Sequence, residues 1–552
     1  MVVWTMTDGK GGPTINMPNL LRSWYFPALG GFLYGYDIGG TAMVLEDLTS
    51  AKYSDTTWYF AMSQSSTLQG VVVAMVTLGA MIGSIAVFRF ESALGRRREM
   101  LVAAICYTVG GAAQYYMGDD SISEGVAISG MCLARVLYGF GVGFAMHGAP
   151  SYIAETAPST LRGSMVAAKE AMIVIGMLSG YCIGAACQDS VGAWRYVYLA
   201  EVPMGLMFGW GVYTLPPSPR WLALKGERVA AESSLKFVMP TLDKSQVEAL
   251  LGEASDKQEH LEGNKSPSEG SAETNEFSIT GAIGELTATR AARAGLKAGL
   301  GLVVLQQITG QPSILYYVDT IFNEVGLGNS ATIGLAVWKL FCTMIAVRYA
   351  DDRGRRELLF AGCALMGVAL LSLTVVTTGV FGSSGTAYEW CILGSMFVYI
   401  GGYQVGFGPV TWTIISEIFP LRQRGKALSF AVFTNFACNT IVSFGADDLL
   451  AFSLPFTFAL FFLLDVYAVY FVYGNVPETK GLTLEQITMM LERFAEMPMR
   501  QPIKTDEGET KGFLPRRDSA AILGAFEDMQ GVEVTEEEDN SDYGTSTNTR
   551  RS

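Results

Sequence analysis

Long apolar segments recur about every 30 residues along most of this chain. Twelve can be counted, at 24–46, 68–88, 99–117, 126–153, 164–187, 193–215, 293–322, 330–350, 357–381, 388–416, 426–446 and 449–473. Each is long enough for a helix to cross about 30 Å of hydrocarbon. Only 16% of the residues are charged, against about 25% in soluble proteins. The sequence therefore predicts an all-α membrane protein of twelve transmembrane helices, packed around a wet cavity.

Positive charges alternate between the connections that join these segments. The connections after segments 3, 7, 9 and 11 carry none, and the one after segment 1 has only Lys52. The connections after segments 2, 4, 8 and 10 carry Arg96, Arg97, Arg98, Arg162, Arg353, Arg355, Arg356, Arg422, Arg424 and Lys426. Because positive loops stay in the cytoplasm, we expect these even connections and both termini to be cytoplasmic.

Repeated motifs divide the chain into two halves, with one polar stretch between the halves and another after them. "ALGRRREM" near 95 returns as "DDRGRREL" near 354, and "APSYIAETAPSTLRGSMVA" near 155 returns as "GPVTWTIISEIFPLRQRGKAL" near 417. Matched halves predict two six-helix bundles with the substrate between them, near mid-membrane. The predicted parts are a terminus 1–23, a bundle 24–215, a central connection 216–292 with short helices around a disordered middle, a bundle 293–475 and an acidic tail 476–552.

The sequence lacks the residues that several classes of function require. The two histidines, His147 and His260, and eight cysteines without a CxxC pair leave no zinc-ligand set, and we expect no metal or other cofactor. A net charge of −14 without a basic patch argues against nucleic acid as a partner. No nucleophilic or phosphate-binding constellation appears, so an enzyme is not expected.

Several long motifs resemble the sugar porter family of the major facilitator superfamily. They are "GGFLYGYDIGG", "RVLYGFGVGF", "YIAETAPSTLRG", "SPRWL", "QQITGQPSILYY", "GPVTWTIISEIFPLRQRGKA" and "PETKG", spread over about 25–485. Within it, "MHGAPSYIAETAP" and "AAKEAMIVIGM" are similar to plant-type D-xylose-proton-symporter-like carriers of vacuoles and plastids. The resemblance implies alternating-access transport of a hexose or pentose with a proton, by a monomer in the plasma or vacuolar membrane. A uniporter and a non-transporting sugar sensor remain as alternatives.

An acid in the middle of the first helix suggests the proton site. Asp37, in "YGYDIGG", is costly inside a membrane unless it titrates, pairs or faces water. Arg135, on helix 4, is a plausible partner, since proton-coupled sugar porters look alike at these two positions. A permanently ionised structural pair is the alternative.

The resemblance also places a sugar site between the halves. Amides and aromatic faces suit sugar hydroxyls and rings, and the candidates are Gln306, Gln307, Tyr316, Tyr317, Trp412 and Asn435. Four positions depart from the general family pattern, namely Met177, Pro312, Glu170 on helix 5 and Lys339 on helix 8. They place simple glucose or xylose selectivity in doubt.

Two adjacent charges, Lys169 and Glu170, interrupt helix 5. Neighbouring residues on a helix point about 100° apart, so we expect them not to form one local pair. Glu170 maps onto the cavity, where Lys339 would balance its charge across the halves. The alternative is that each charge reaches cavity water and ignores the other.

A duplicated set of charges flanks the cytoplasmic connections. The set is Arg97, Glu155, Arg162, Arg355, Glu417 and Arg424. In the family such residues form ion pairs between the halves that close the cytoplasmic side. Ser92 stands where the family usually has an acid, while Asp351 holds that position in the second half, so the first cluster is expected to be weaker. Ordinary solvated loop charges are the alternative.

Overall fold

The structure, a computed structural model, consists almost entirely of helices. It describes residues 5–7, 14–119, 121–158, 161–248, 286–315, 328–379, 385–419 and 421–480, with 284, 318, 322, 487, 490 and 491. The predicted disordered middle of the central connection and most of the acidic tail lie outside these residues.

The first half begins with a short hairpin. Strands β1 (Thr5–Thr7) and β2 (Thr14–Asn16) pair antiparallel, with Met6 opposite Ile15. The helices that follow are α1 (Met17–Thr49), α2 (Tyr59–Gln64), α3 (Ser66–Tyr116), α4 (Glu124–Thr156), α5 (Arg162–Cys187), α6 (Trp194–Leu199) and α7 (Glu201–Tyr213). The Asn16 side chain caps α1, and Pro18 fits its first turn because it has no N–H to satisfy.

The second half repeats this arrangement after two short helices of the central connection, α8 (Pro219–Leu224) and α9 (Arg228–Val238). Its helices are α10 (Arg290–Ile308), α11 (Asn329–Arg353), α12 (Arg355–Thr377), α13 (Thr386–Val405), α14 (Gly408–Ile418), α15 (Leu421–Phe452) and α16 (Leu454–Asn475). The helix resumes at 311–315, after a break that follows α10.

Eight helical stretches of the described chain are long and apolar enough to cross a membrane. The remaining predicted crossings correspond to α1, the second arm of α3, α6 with α7, and α10. One of the four crossings is divided between two short helices, since α6 has 6 residues and α7 has 13. Together the two groups account for the twelve predicted apolar segments.

Two glycines turn the chain at the same point of each half. Gly95, with φ +70°, separates the two arms of α3, and Gly354, with φ +91°, separates α11 from α12. Residues with a Cβ avoid this backbone region. The Trp221 ring lies against Gly95, and the Glu478 carboxylate lies against Gly354. The repeat seen in the sequence is therefore also a repeat of backbone geometry.

The two halves meet along α3 with α15 and along α5 with α11. On the first of these seams Ser66 donates to Asp448 at 2.7 Å, Thr440 donates to Thr77 at 3.0 Å, and the rings of Phe88 and Phe430 lie 5.1 Å apart. On the side of the second seam, the Tyr181 hydroxyl of α5 donates to the Leu315 carbonyl of the second half at 3.0 Å. The surfaces facing each other between these seams carry the candidate site.

The central connection packs against the start of the chain. Ile15 and Leu20 join an apolar cluster with residues of α8 and α9, and Asn19 donates to the Phe237 carbonyl at 2.8 Å. Residues 244–248 are helical, in line with the short helices expected in the central connection. The domain boundaries proposed from the sequence remain predictions.

Candidate functional site

A fully buried ion pair joins α1 to α4. The Asp37 carboxylate lies 3.3 Å from Nη1 of Arg135, and neither side chain is exposed. Thr41, one turn along α1, donates to the same carboxylate at 3.3 Å. The structure thus brings together the two residues that the sequence suggested for proton coupling. Their role remains a proposal.

Arg135 also holds three other groups. Its Nε donates to the Val72 carbonyl at 2.7 Å, and its Nη1 donates to Gln114 at 3.1 Å and to the Tyr198 hydroxyl at 3.3 Å. The guanidinium is therefore fixed by α3 and α6 as well as by Asp37. It can keep its position when the charge on Asp37 changes.

A second buried acid lies beside this network. Glu201 begins α7, is fully buried, and accepts a hydrogen bond from Gln114 at 3.4 Å. Its Oε1 has no hydrogen-bond partner in the described part of the chain. Sequence reasoning missed Glu201, although a lone acid in the apolar run "YLAEVPMG" is the same signal that identified Asp37. Glu201 is therefore linked to Arg135 through Gln114, which binds both side chains.

The charges of helix 5 are arranged differently from the prediction. Lys169 Nζ lies 3.2 Å from Glu170 Oε1, so the expectation that these neighbours form no local pair is wrong. Long side chains can meet at their tips although their Cβ atoms diverge. Lys169 Nζ also approaches the Met146 sulfur at 3.9 Å, which keeps it over the first half.

Lys339 faces Glu170 from the other half without touching it. It is buried on α11 and interacts electrostatically with Glu170, but it forms no ion pair within 4.0 Å among the described residues. Tyr34 on α1 and Tyr403 on α13 also lie within the electrostatic range of Glu170. Glu170 therefore faces a space lined by both halves, and its charge is balanced here by Lys169 rather than across the bundle by Lys339.

The glutamines of "QQITGQPS" end α10 on the same space. Gln306 donates to the Phe407 carbonyl at 3.0 Å, and Gln307 accepts from Asn439 at 3.1 Å. Ser443 holds the other side of the Asn439 amide at 3.1 Å. Asn435, the predicted amide, is half-buried one turn earlier on α15. Asn439, four residues further along the segment "FTNFACN", is the amide that contacts Gln307 among the described residues.

Trp412 is half-buried on α14 and packs against the apolar clusters of both halves. That placement suits a stacking face at the boundary between them.

Tyr316 and Tyr317 lie outside the described residues. Within the described part, no cluster of three metal-ligating side chains occurs.

The two acids of the predicted gate each pair with an arginine of their own half. Glu155 lies 3.3 Å from Arg96 and accepts a hydrogen bond from Ser218. Glu417 lies 2.8 Å from Arg355 and accepts from Thr479 at 2.6 Å. For Glu155 and Glu417, these described partners are not the pairs between halves that the family resemblance implied.

Arg97, another residue of the predicted gate, contacts Tyr213 of its own half. Its Nη2 donates to the Tyr213 carbonyl at 2.6 Å, and its guanidinium lies 5.3 Å from the Tyr213 ring centre. Arg356 makes the matching contacts with Tyr473 in the second half. Arg96 is the residue that reaches Glu155. The side chains of Arg162 and Arg424 lie outside the described residues, as do those of Glu91, Ser92 and Asp351.

Comparisons with known proteins agree with this architecture. A family model described as "Sugar (and other) transporter" matches residues 24–491. "D-xylose-proton symporter-like 3, chloroplastic" of Arabidopsis thaliana is 39% identical over 478 residues, covering 85% of this chain and 82% of that protein. The D-xylose-proton symporter of Escherichia coli (strain K12) is 29% identical over 497 residues, covering 84% and 94%.

Solved structures give the same picture. The proton:xylose symporter XylE bound to 6-bromo-6-deoxy-D-glucose matches with a TM-score of 0.70 at 27% identity, over 86% of this chain and 100% of that one. The inward open conformation of XylE from E. coli matches with a TM-score of 0.66 at 26% identity, over 85% and 99%.

Proposed function

This chain belongs to the sugar (and other) transporter family, and from that membership we propose that it carries a monosaccharide across a membrane together with a proton. The predicted all-α major facilitator fold is confirmed, as is the prediction of a multi-pass transporter rather than an enzyme. The proposed substrate is a hexose or a pentose, in line with the xylose symporters among its relatives.

The observation that carries proton coupling is the buried pair of Asp37 and Arg135. A carboxylate without water is tolerated while the arginine neutralises it, and a proton can replace the arginine in that role. Because Arg135 keeps its bonds to Val72, Gln114 and Tyr198, it stays in place when Asp37 binds a proton. Asp37 would take the proton, and Glu201 would compete with it for the same cation.

The proposed sugar site lies between Glu170 and the amides of the second half. Gln306, Gln307 and Asn439 offer donors and acceptors for hydroxyl groups, and Trp412 offers a flat apolar face. Asn439 replaces Asn435 in this set because it is the amide that contacts Gln307. Alternating access would expose the site by rocking the halves on the seams α3–α15 and α5–α11.

The side that carries Arg96 and Arg355 is proposed to be cytoplasmic, together with both termini, because of the asymmetry in positive charge. There Glu155 and Glu417 would release the partners of their own half to bind arginines of the other half when that side closes. The protein is proposed to work as a monomer, in the plasma or vacuolar membrane.

Uptake into proteoliposomes tests the function. Labelled xylose, glucose, galactose and a disaccharide control would be offered with and without an inward proton gradient. We expect at least one monosaccharide to accumulate only with the gradient. Equilibration that ignores the gradient would indicate a uniporter, and binding without uptake would indicate a sensor.

A further inference from the structure

A lysine in the middle of α11 has no polar partner in the part of the chain that the structure describes. Lys339 is 6% exposed, and its ammonium forms neither a hydrogen bond nor an ion pair with the described residues. It lies inside the apolar stretch Ser330–Tyr349, about 15 Å along the helix from its start. A buried charge at this depth is costly unless a partner balances it, and such a residue therefore points to a function.

Helix α11 directs Lys339 toward the first half. The preceding residue, Trp338, donates to the Phe397 carbonyl of α13 at 2.8 Å. Successive helical residues point about 100° apart, so Lys339 points to one side of that contact. It interacts electrostatically with Glu170 of α5, the helix that packs against α11 across the halves. The ammonium therefore faces the space that holds the proposed sugar site.

The charges around that space do not balance. Lys169 lies 3.2 Å from Glu170, so this carboxylate already has a counterion. Lys339 adds a second cation, while the amides of the proposed sugar site are neutral. The described wall of the site thus carries one positive charge in excess.

The other buried charges of the first half do not remove this excess. Asp37 lies 3.3 Å from Arg135, and Glu201 is linked to the same arginine through Gln114. Among the described residues, Glu170 is the charge that acts on Lys339. A ligand that brings one negative charge would therefore complete the site.

A sugar carboxylate has the charge and the size that the site requires. A hexuronate carries one negative charge at neutral pH and keeps the ring hydroxyls of a hexose for Gln306, Gln307 and Asn439. Its carboxylate can accept charge-assisted hydrogen bonds from Lys339, which are stronger than bonds between neutral groups. A phosphate monoester carries about −1.5 to −2 charges, which exceeds the single positive charge and adds repulsion from Glu170.

We propose that this protein recognises a hexuronate and that Lys339 is the specificity residue that binds the sugar carboxylate. The proposal rests on the proposed function, because it names the substrate class of the same site between the halves. It also gives a role to Lys339 as a departure from the general family pattern. Lys169 meanwhile holds Glu170, whose carboxylate can accept from a ring hydroxyl.

The test compares ligand affinities of the full-length protein in lipid nanodiscs at pH 7. Isothermal titration calorimetry would measure D-glucuronate and D-galacturonate, each against its neutral hexose, with D-glucose 6-phosphate as a third kind of ligand. The readout is the ratio of the Kd of the neutral hexose to the Kd of its uronate. We expect a ratio of at least ten for one of the two pairs, which corresponds to about 1.4 kcal/mol. Glucose 6-phosphate should bind no more tightly than glucose.

Three variants connect this ratio to Lys339. Lys339→Gln should lower the ratio to less than two, because the amide carries no charge, and Lys339→Arg should keep it above five. Lys297→Gln, which changes an exposed lysine of α10 in the same half, should keep the wild-type ratio. A ratio below two in the wild type for both pairs, or a wild-type ratio in Lys339→Gln, would overturn the proposal.

The inference and the proposed function can fail separately. Neutral hexoses that bind and accumulate with the proton gradient, without a preference for uronates, would overturn only the role of Lys339. If neither neutral nor acidic monosaccharides bind to the wild type, the proposed transport of a monosaccharide fails as well.

Discussion

The three charges in the cavity allow a prediction whose size follows from geometry. Lys169 and Glu170 lie 3.2 Å apart, with side-chain exposures of 9% and 18%. At an effective dielectric constant near 20, two unit charges at that distance attract by about 5 kcal/mol. Desolvation offsets much of this, so removing one partner should cost about 2 kcal/mol, the low end for buried pairs. A cost of about 2 kcal/mol corresponds to a roughly thirtyfold decrease in the transport rate constant.

The assay is a double-mutant cycle on sugar counterflow in proteoliposomes. Glu170→Gln and Lys169→Met should each lower kcat/KM about thirtyfold, because each leaves a buried charge without its partner. The double variant Lys169→Met/Glu170→Gln should recover most of the loss. Glu170→Gln/Lys339→Asn should recover less, since Lys169 then stays unpaired.

An exposed pair serves as the matched control. Lys236 and Glu232 lie only 2.5 Å apart, but their side chains are 41% and 35% exposed. Their joint replacement by Met and Gln should leave counterflow unchanged, because burial rather than distance decides the effect. Additive losses for Lys169 and Glu170 would refute the reasoning. Full recovery by Glu170→Gln/Lys339→Asn would instead support the Glu170–Lys339 pair across the halves that the sequence suggested.

Two other substitutions test the site and the fold. Asn439→Ala should weaken sugar binding at least tenfold because it loses the contact with Gln307, whereas Asn435→Ala should change it less than twofold; equal effects, measured by tryptophan fluorescence titration, would contradict the assignment. Gly95→Ala should destabilise the protein by about 1–3 kcal/mol, because φ +70° with ψ 158° is a backbone region open essentially only to glycine; the measurement is a lower melting temperature in detergent, and Gly125→Ala, which has open space around it, should not lower it.

The fold was predictable because its signals are long and repeated. Apolar segments of membrane length and duplicated motifs each extend over many residues, so no single residue decides the predicted fold. The turn at Gly95 and Gly354 appears in both halves, as expected of a duplication. Helix ends were less accurate. The second and third predicted segments form one kinked helix, α3, and the tenth segment is divided at Gly406 between α13 and α14. Glycine permits bends that the apolar periodicity does not show.

The partners within the site were less predictable. Helical geometry correctly separates the Cβ atoms of Lys169 and Glu170, but it cannot fix where flexible side chains end. In the same way, the contacts of Arg96 with Glu155 and of Asn439 with Gln307 depend on the rotation of one helix against another. Glu201 was within reach of the rule applied to Asp37, and weighing every lone acid in an apolar run would have found it.

Proton-driven accumulation by Asp37→Asn tests the central claim most directly. The variant keeps the size of the side chain and the bonds of Arg135 to Val72, Gln114 and Tyr198, so the site should remain folded. We predict that sugar counterflow continues, while accumulation driven by an imposed proton gradient is lost. Accumulation at the wild-type level by this variant would contradict proton coupling through the buried pair of Asp37 and Arg135.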